Sequence, residues 1–142
     1  MAHAGQELRG PDGFVLRLIR TGAETDEEVL EMDASYSGEA PMPPEHLHPG
    51  QLERFEVLEG RVRTIVDGDE RVRGPGEPFE VPAGTPHQMA AEGPTRMRWE
   101  VRPALRTAEF FERLYEAIAV ENWAEIPAIM DEFSDEVVLT GN

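Results

Sequence analysis

The sequence of 142 residues has no cysteine and no lysine, and only four histidines, two tyrosines and two tryptophans. Without cysteine there is no disulfide framework, no thiolate metal ligand and no cysteine nucleophile, so a metal would have to be held by nitrogen and oxygen alone. Without lysine, Schiff-base chemistry on a lysine side chain is excluded. All 13 basic residues are arginine and stand against 29 acidic ones, a formal net charge of −16. That balance opposes nucleic acid and anionic membrane as partners, since both require a basic footprint; its simplest role is solubility. No apolar run approaches the roughly 20 residues of a membrane span, and no glycine-rich phosphate loop is present. The N-terminus lacks the basic-then-apolar pattern of a signal peptide, so a cytoplasmic protein is expected. The length suits one domain with a real core.

What is present is a series of short strand signals. Residues 1–13 read as a loose lead-in, with His3 a terminal residue. Phe14 to Ile19 is apolar and β-branched, and Thr21 to Glu28 is a polar acidic loop. Val29 to Tyr36 alternates, placing Leu30, Met32, Ala34 and Tyr36 on one face. Arg54 to Leu58 and Arg61 to Val66 read as paired strands joined through Glu59-Gly60. Asp67-Gly68 is the strongest hairpin-turn signal. Phe79 to Val81 and His87 to Ala91 follow, and Thr95 to Arg102 alternates with Met97, Trp99 and Val101 on one side. Short strands punctuated this often suggest a small antiparallel barrel or sandwich. Beyond Pro103 the pattern turns helical: Thr107 can cap a helix whose apolar positions Phe110, Phe111, Leu114, Tyr115 and Ile118 recur at three and four. A second helix is expected around Glu125 to Phe133, with Pro127 in its first turn, and Val137 to Leu139 reads as a final strand.

Three of the four histidines fall in two short segments. His46 and His48 are two apart and share a face if the segment is extended. Glu53 returns after the Pro49-Gly50 turn, and His87 follows the turn-rich Pro82-Ala-Gly84-Thr-Pro86. Together they offer three imidazole nitrogens and one carboxylate oxygen. The spacings are His46-x-His48, four residues, Glu53, six residues, Gly60, and then Gly76, five residues, Pro82-x-Gly84, two residues, His87. This pair of segments resembles the two motifs of the cupin superfamily, over roughly residues 29 to 103. Ala40 stands where the first motif usually begins with glycine, and Ala91 replaces an asparagine that often ends the second; neither position supplies a ligand in the family.

The resemblance implies a mainly all-β fold, a small antiparallel jelly-roll β-barrel over residues 14–103 with a C-terminal helical appendage over 104–142 packing on it. It also implies one divalent metal ion ligated by His46, His48, Glu53 and His87. Iron, manganese, nickel, zinc and copper all accept such ligands. Four protein ligands on an octahedral ion leave two positions open for substrate or dioxygen, and Glu53 is in addition a candidate general base. Met42, Phe55, Val57, Met89, Met97 and Trp99 share a face with the ligands and are expected to form an apolar substrate pocket. Gln51 and Glu45 flank the site and are read as facing solvent. The expected function is a metal-dependent enzyme, oxygenase or dioxygenase in type, on a small hydrophobic substrate. The alternatives are a non-redox isomerase or decarboxylase, and a non-catalytic small-molecule sensor. Exposed sheet edges and the apolar helix face suggest a homodimer.

Overall fold

The computed structural model describes residues 2–140. Its strands are β1 (Glu7–Arg9), β2 (Val15–Arg20), β3 (Leu30–Tyr36), β4 (His46–Leu47), β5 (Leu52–Glu59), β6 (Val62–Val66), β7 (Asp69–Arg73), β8 (Phe79–Val81), β9 (His87–Ala91), β10 (Thr95–Arg102) and β11 (Val138–Leu139). The helices are α1 (Gly22–Thr25), α2 (Thr107–Ala119) and α3 (Ile126–Glu132). One antiparallel sheet runs β1-β2-β3-β10-β5-β8 and the other β11-β4-β9-β6-β7.

The expected closed jelly-roll barrel is not formed. Each sheet ends in free edges, and those edges are built to stay unpaired: β1 and β8 have three residues each, β11 has two, and β7 is exposed and charged. Short or charged edge strands are how sheets stop. The alternation in the sequence reported which faces are buried; it did not report which strands are neighbours. The same limit explains a second correction. β5 and β6 are consecutive but not paired, because β5 lies between β10 and β8 while β6 lies between β9 and β7 in the other sheet. The chain changes sheets at Gly60, whose φ of 83° and whose approach to the Pro94 carbonyl both exclude a Cβ.

Elsewhere local chemistry decides. Asp67 and Gly68 both take positive φ in a two-residue turn between β6 and β7, as the twist of a tight hairpin requires. The expected lead-in contains β1, which pairs with β2, and the acidic loop contains α1, capped by reciprocal bonds between Thr21 and Glu24. In β5, Glu53, Phe55 and Val57 face inward, and in β10 Met97, Trp99 and Val101 do so. Helix α2 adds Phe110 and Phe111 to the core that these strands form with Leu16, Leu18, Leu30 and Met32. Leu114 and Tyr115 of the same stripe are half-buried and pack against that core.

Gln51, expected in solvent, is 1 % exposed. Its Nε2 donates to the carbonyls of Pro103 (2.9 Å) and Ala104 (3.1 Å) and lies 2.8 Å from the Thr107 hydroxyl. These bonds tie the start of β5 to the start of α2. Gln51→Ala would leave two carbonyls and a hydroxyl buried without their partner, each worth about 1–3 kcal/mol when orphaned. A loss of about 2–4 kcal/mol in denaturant unfolding is expected; a loss below about 0.5 kcal/mol would show that water replaces the amide.

Candidate metal centre

The proline-rich stretch before residue 46 delivers the chain to β4, which pairs with β9 at a single rung, His46 opposite His87. Their ring centroids are 4.4 Å apart, and His48 lies 5.1 Å from His46 and 5.2 Å from His87. One ring nitrogen from each comes within 4.8 Å of the other two, an arrangement capable of holding a metal ion. Glu53 reaches two of them from the opposite sheet: its Oε1 is 3.1 Å from His48 Nε2 and 2.9 Å from His87 Nε2.

The tautomers follow from the other side of each ring. His46 Nδ1 lies 3.1 Å from the Pro44 carbonyl, His48 Nδ1 2.8 Å from the Glu136 carbonyl, and His87 Nδ1 2.9 Å from the Thr85 carbonyl. A carbonyl only accepts, so each Nδ1 carries the hydrogen, and in the neutral ring each Nε2 presents a lone pair. With the rings neutral, His48 Nε2 and Glu53 Oε1 are buried acceptors that face one another with no donor between them. Two acceptors about 3 Å apart repel unless something positive lies between them, a cation or a proton. Neighbouring ligands about 2.1 Å from an octahedral ion are themselves about 3.0 Å apart, close to the separations of Glu53 Oε1 from His48 and His87. By chemistry and by their grouping, the three imidazoles fit a divalent transition ion. The second oxygen of Glu53 is also fixed, since Trp99 Nε1 donates to it at 2.8 Å.

Burial alone would raise the Glu53 carboxyl, but the hydrogen bonds and charges of His48 and His87 outweigh it and bring its pKa to about 2. Burial, joined by repulsion from His87, pushes His46 down to about 4. For His48 burial also disfavours the charge, but Glu53 and the Glu136 carbonyl overcome it, and its pKa rises. In the metal-free chain His48 therefore keeps a proton facing Glu53 up to a higher pH than a free imidazole does. A metal must displace that proton, so affinity is expected to rise with pH, by about tenfold per unit as long as His48 is protonated. Calorimetry at about pH 6, below the usual histidine value, in buffers of different ionisation enthalpy, should show close to one proton released per ion. Release of none would remove His48 from the ligand set.

The donors form one wall of a cavity of about 360 Å³. Of the residues expected to form a pocket, Phe55, Met89 and Trp99 line it; Val57 and Met97 lie in the surrounding core, and Met42, half-buried, is not among the lining residues. Much of the wall comes from positions that sequence reasoning did not assign to it. These are Phe110, Phe111, Leu114 and Tyr115 of α2, Ile126 and Met130 of α3, Phe14 and Tyr36, and the terminal Glu136, Val137 and Leu139. The α2 stripe was visible as a period of three and four but was assigned to packing. The Glu136 contribution, a backbone carbonyl, leaves no trace in residue type.

Residues 34–101 match a family model described as a cupin domain. Among solved structures, an RmlC-like cupin from Shewanella frigidimarina is 18 % identical with a TM-score of 0.61, covering 72 % of this chain and 87 % of its own. KdgF from a Halomonas species is 17 % identical with a TM-score of 0.60, over 69 % and 86 %. Pac13, described as a nucleoside dehydratase and known from Streptomyces, is 15 % identical with a TM-score of 0.58, over 74 % and 83 %. No curated protein matches the chain significantly. Among the described residues no helix is long and apolar enough to cross a membrane.

Proposed function

The chain carries a cupin-superfamily β-domain, matched over residues 34–101, and on that premise we propose that it is a metal-dependent enzyme of oxygenase type acting on a small hydrophobic molecule. The observation that carries this reading is that three imidazole nitrogens and a carboxylate oxygen, all buried or half-buried, converge on the wall of an apolar cavity. His46, His48, His87 and Glu53 would hold the ion. A divalent ion so held supplies Lewis acidity and, when redox-active as iron is, reactivity toward dioxygen.

The chain's own residues do the rest. Phe55, Met89, Phe110, Phe111 and Leu114 bind the apolar body of the substrate and exclude water from the reacting end. The three Nδ1–H to carbonyl bonds hold the imidazoles in one orientation, the usual task of the groups behind a metal ligand. Trp99 restrains Glu53 so that a single oxygen faces the histidines. With a pKa of about 2 and its second oxygen engaged, Glu53 suits ligation better than proton abstraction, and we assign it the ligand role. Dehydration of a nucleoside, as in Pac13, is disfavoured by the same lining, because a polar sugar finds few partners among Phe55, Trp99, Phe110 and Phe111.

The test is oxygen uptake by the iron-loaded protein against a panel of hydrophobic phenols and diketones. Uptake stoichiometric with substrate loss, abolished by chelation, is the expected result. Substrate turnover without oxygen uptake, supported equally by zinc, would replace oxygenase chemistry with a non-redox reaction on the same site.

A further inference from the structure

The polar groups that line the cavity can be accounted for one by one. Trp99 donates to Glu53, and the Thr107 hydroxyl is engaged with Gln51. The Glu136 carbonyl takes His48, and its carboxylate takes the Arg106 backbone N–H at 3.4 Å. Two sets remain. One is the metal-facing set, the histidine Nε2 atoms with Glu53 Oε1. The other is the pair of phenol hydroxyls of Tyr36 and Tyr115, the chain's only tyrosines, both lining the cavity and neither hydrogen-bonded to any described residue. Burial raises both phenols, Tyr36 to about 12, so both hydroxyls keep their protons and can donate. Neither hydroxyl is among the fully buried unpartnered atoms, so each keeps surface that a ligand or water can reach.

The two sets spring from backbone positions far apart along the sheet. Glu53 stands opposite Val101 of β10, and Val101 opposite Leu30 of β3. Tyr36 is six residues further along β3, opposite Thr95, which is roughly 20 Å of strand. Between them the wall is a continuous series of rings. Centroid separations are 5.4 Å from Phe55 to Trp99, 5.3 Å to Phe111, 6.0 Å to Tyr115, 5.6 Å to Phe14 and 4.9 Å to Tyr36. Among the lining residues there is no arginine, so nothing there calls for an anionic ligand.

From this arrangement, and resting on the metal-dependent reading above, we propose that the substrate is a neutral, elongated aromatic molecule with oxygen at both ends. One oxygen meets the metal, and the other is received by the hydroxyls of Tyr36 and Tyr115. The tyrosine pair would then be a specificity determinant: it selects for length and for a second oxygen, leaving the reacting end to the metal.

The test compares two probes on one body, para-phenylphenol and para,para′-dihydroxybiphenyl, binding to the metal-loaded protein followed by calorimetry. The second hydroxyl is expected to tighten binding about tenfold, the worth of one to two hydrogen bonds. That advantage should vanish in the Tyr36→Phe, Tyr115→Phe double variant, which removes only two oxygen atoms and preserves the packing. Equal affinity of the two probes for the unaltered protein, an advantage that survives in the double variant, or no binding of either probe would each overturn the proposal. Failure of the metal reading has a different signature: both affinities would be the same with and without divalent ion, whatever the tyrosines contribute.

Discussion

His48→Ala is expected to leave a folded chain that holds divalent metal at least about a hundredfold more weakly than the unaltered protein. Removing a group that merely orients a metal ligand commonly weakens affinity by about 10- to 100-fold, and removing the ligand itself should do no less. The chain should survive because the loss is local. Glu53 keeps His87 at 2.9 Å and Trp99 at 2.8 Å, and the Glu136 carbonyl forfeits one hydrogen bond, about 1 kcal/mol. The variant also forfeits the contact of His48 with Glu53 at 3.1 Å, but Glu53 keeps its two other partners. Competition titration with a chromophoric chelator gives the affinity, and far-ultraviolet circular dichroism gives the fold. Unchanged affinity in a folded variant would sink the assignment of His48.

Phe55→Ala is expected to produce the largest loss of stability of any single change near the site. The ring is 1 % exposed and stacked between Phe79 at 5.0 Å and Trp99 at 5.4 Å. Truncating a phenylalanine in such a place costs about 3–5 kcal/mol, a large share of the stability of a domain this size. The consequence reaches the metal centre, because Trp99 would lose the surface that holds its indole in line with Glu53; affinity should fall about tenfold as well. Phe55→Leu, which keeps most of the volume, should lose much less of both. A loss below about 1 kcal/mol on Phe55→Ala would mean that the neighbouring rings collapse into the space.

These two residues also mark how far the sequence could be read. The grouping of His46, His48 and His87 was legible because histidine is scarce and the spacing is tight: four histidines in the whole chain, three of them next to turns. Phe55 was legible because it alternates with Glu53 on an inward face. Sheet membership was not. Alternation in β5 and β6 looks the same whether they pair with each other or, as they do, lie in different sheets, and the expectation of a closed barrel failed for that reason. Gln51 looked like a surface residue beside a turn, and only the return of the chain at Pro103 to Thr107 shows why it is buried. The role of the C-terminal segment was hidden more completely. Glu136 orients His48 through its backbone carbonyl across 88 positions of sequence, an interaction that side-chain chemistry does not encode. Tyr36 was placed on the correct face of its strand, yet its partner in the cavity, Tyr115, comes from a helix whose apolar stripe was read as packing.

The central claim, a metal held by the three histidines and Glu53, is tested most directly by elemental analysis of the purified protein beside the His46→Ala, His48→Ala double variant. The expected result is close to one divalent transition ion per chain in the first and almost none in the second, with both proteins folded. No ion in the unaltered protein after reconstitution with iron, manganese, nickel, zinc or copper, or equal metal content in the two proteins, would contradict it.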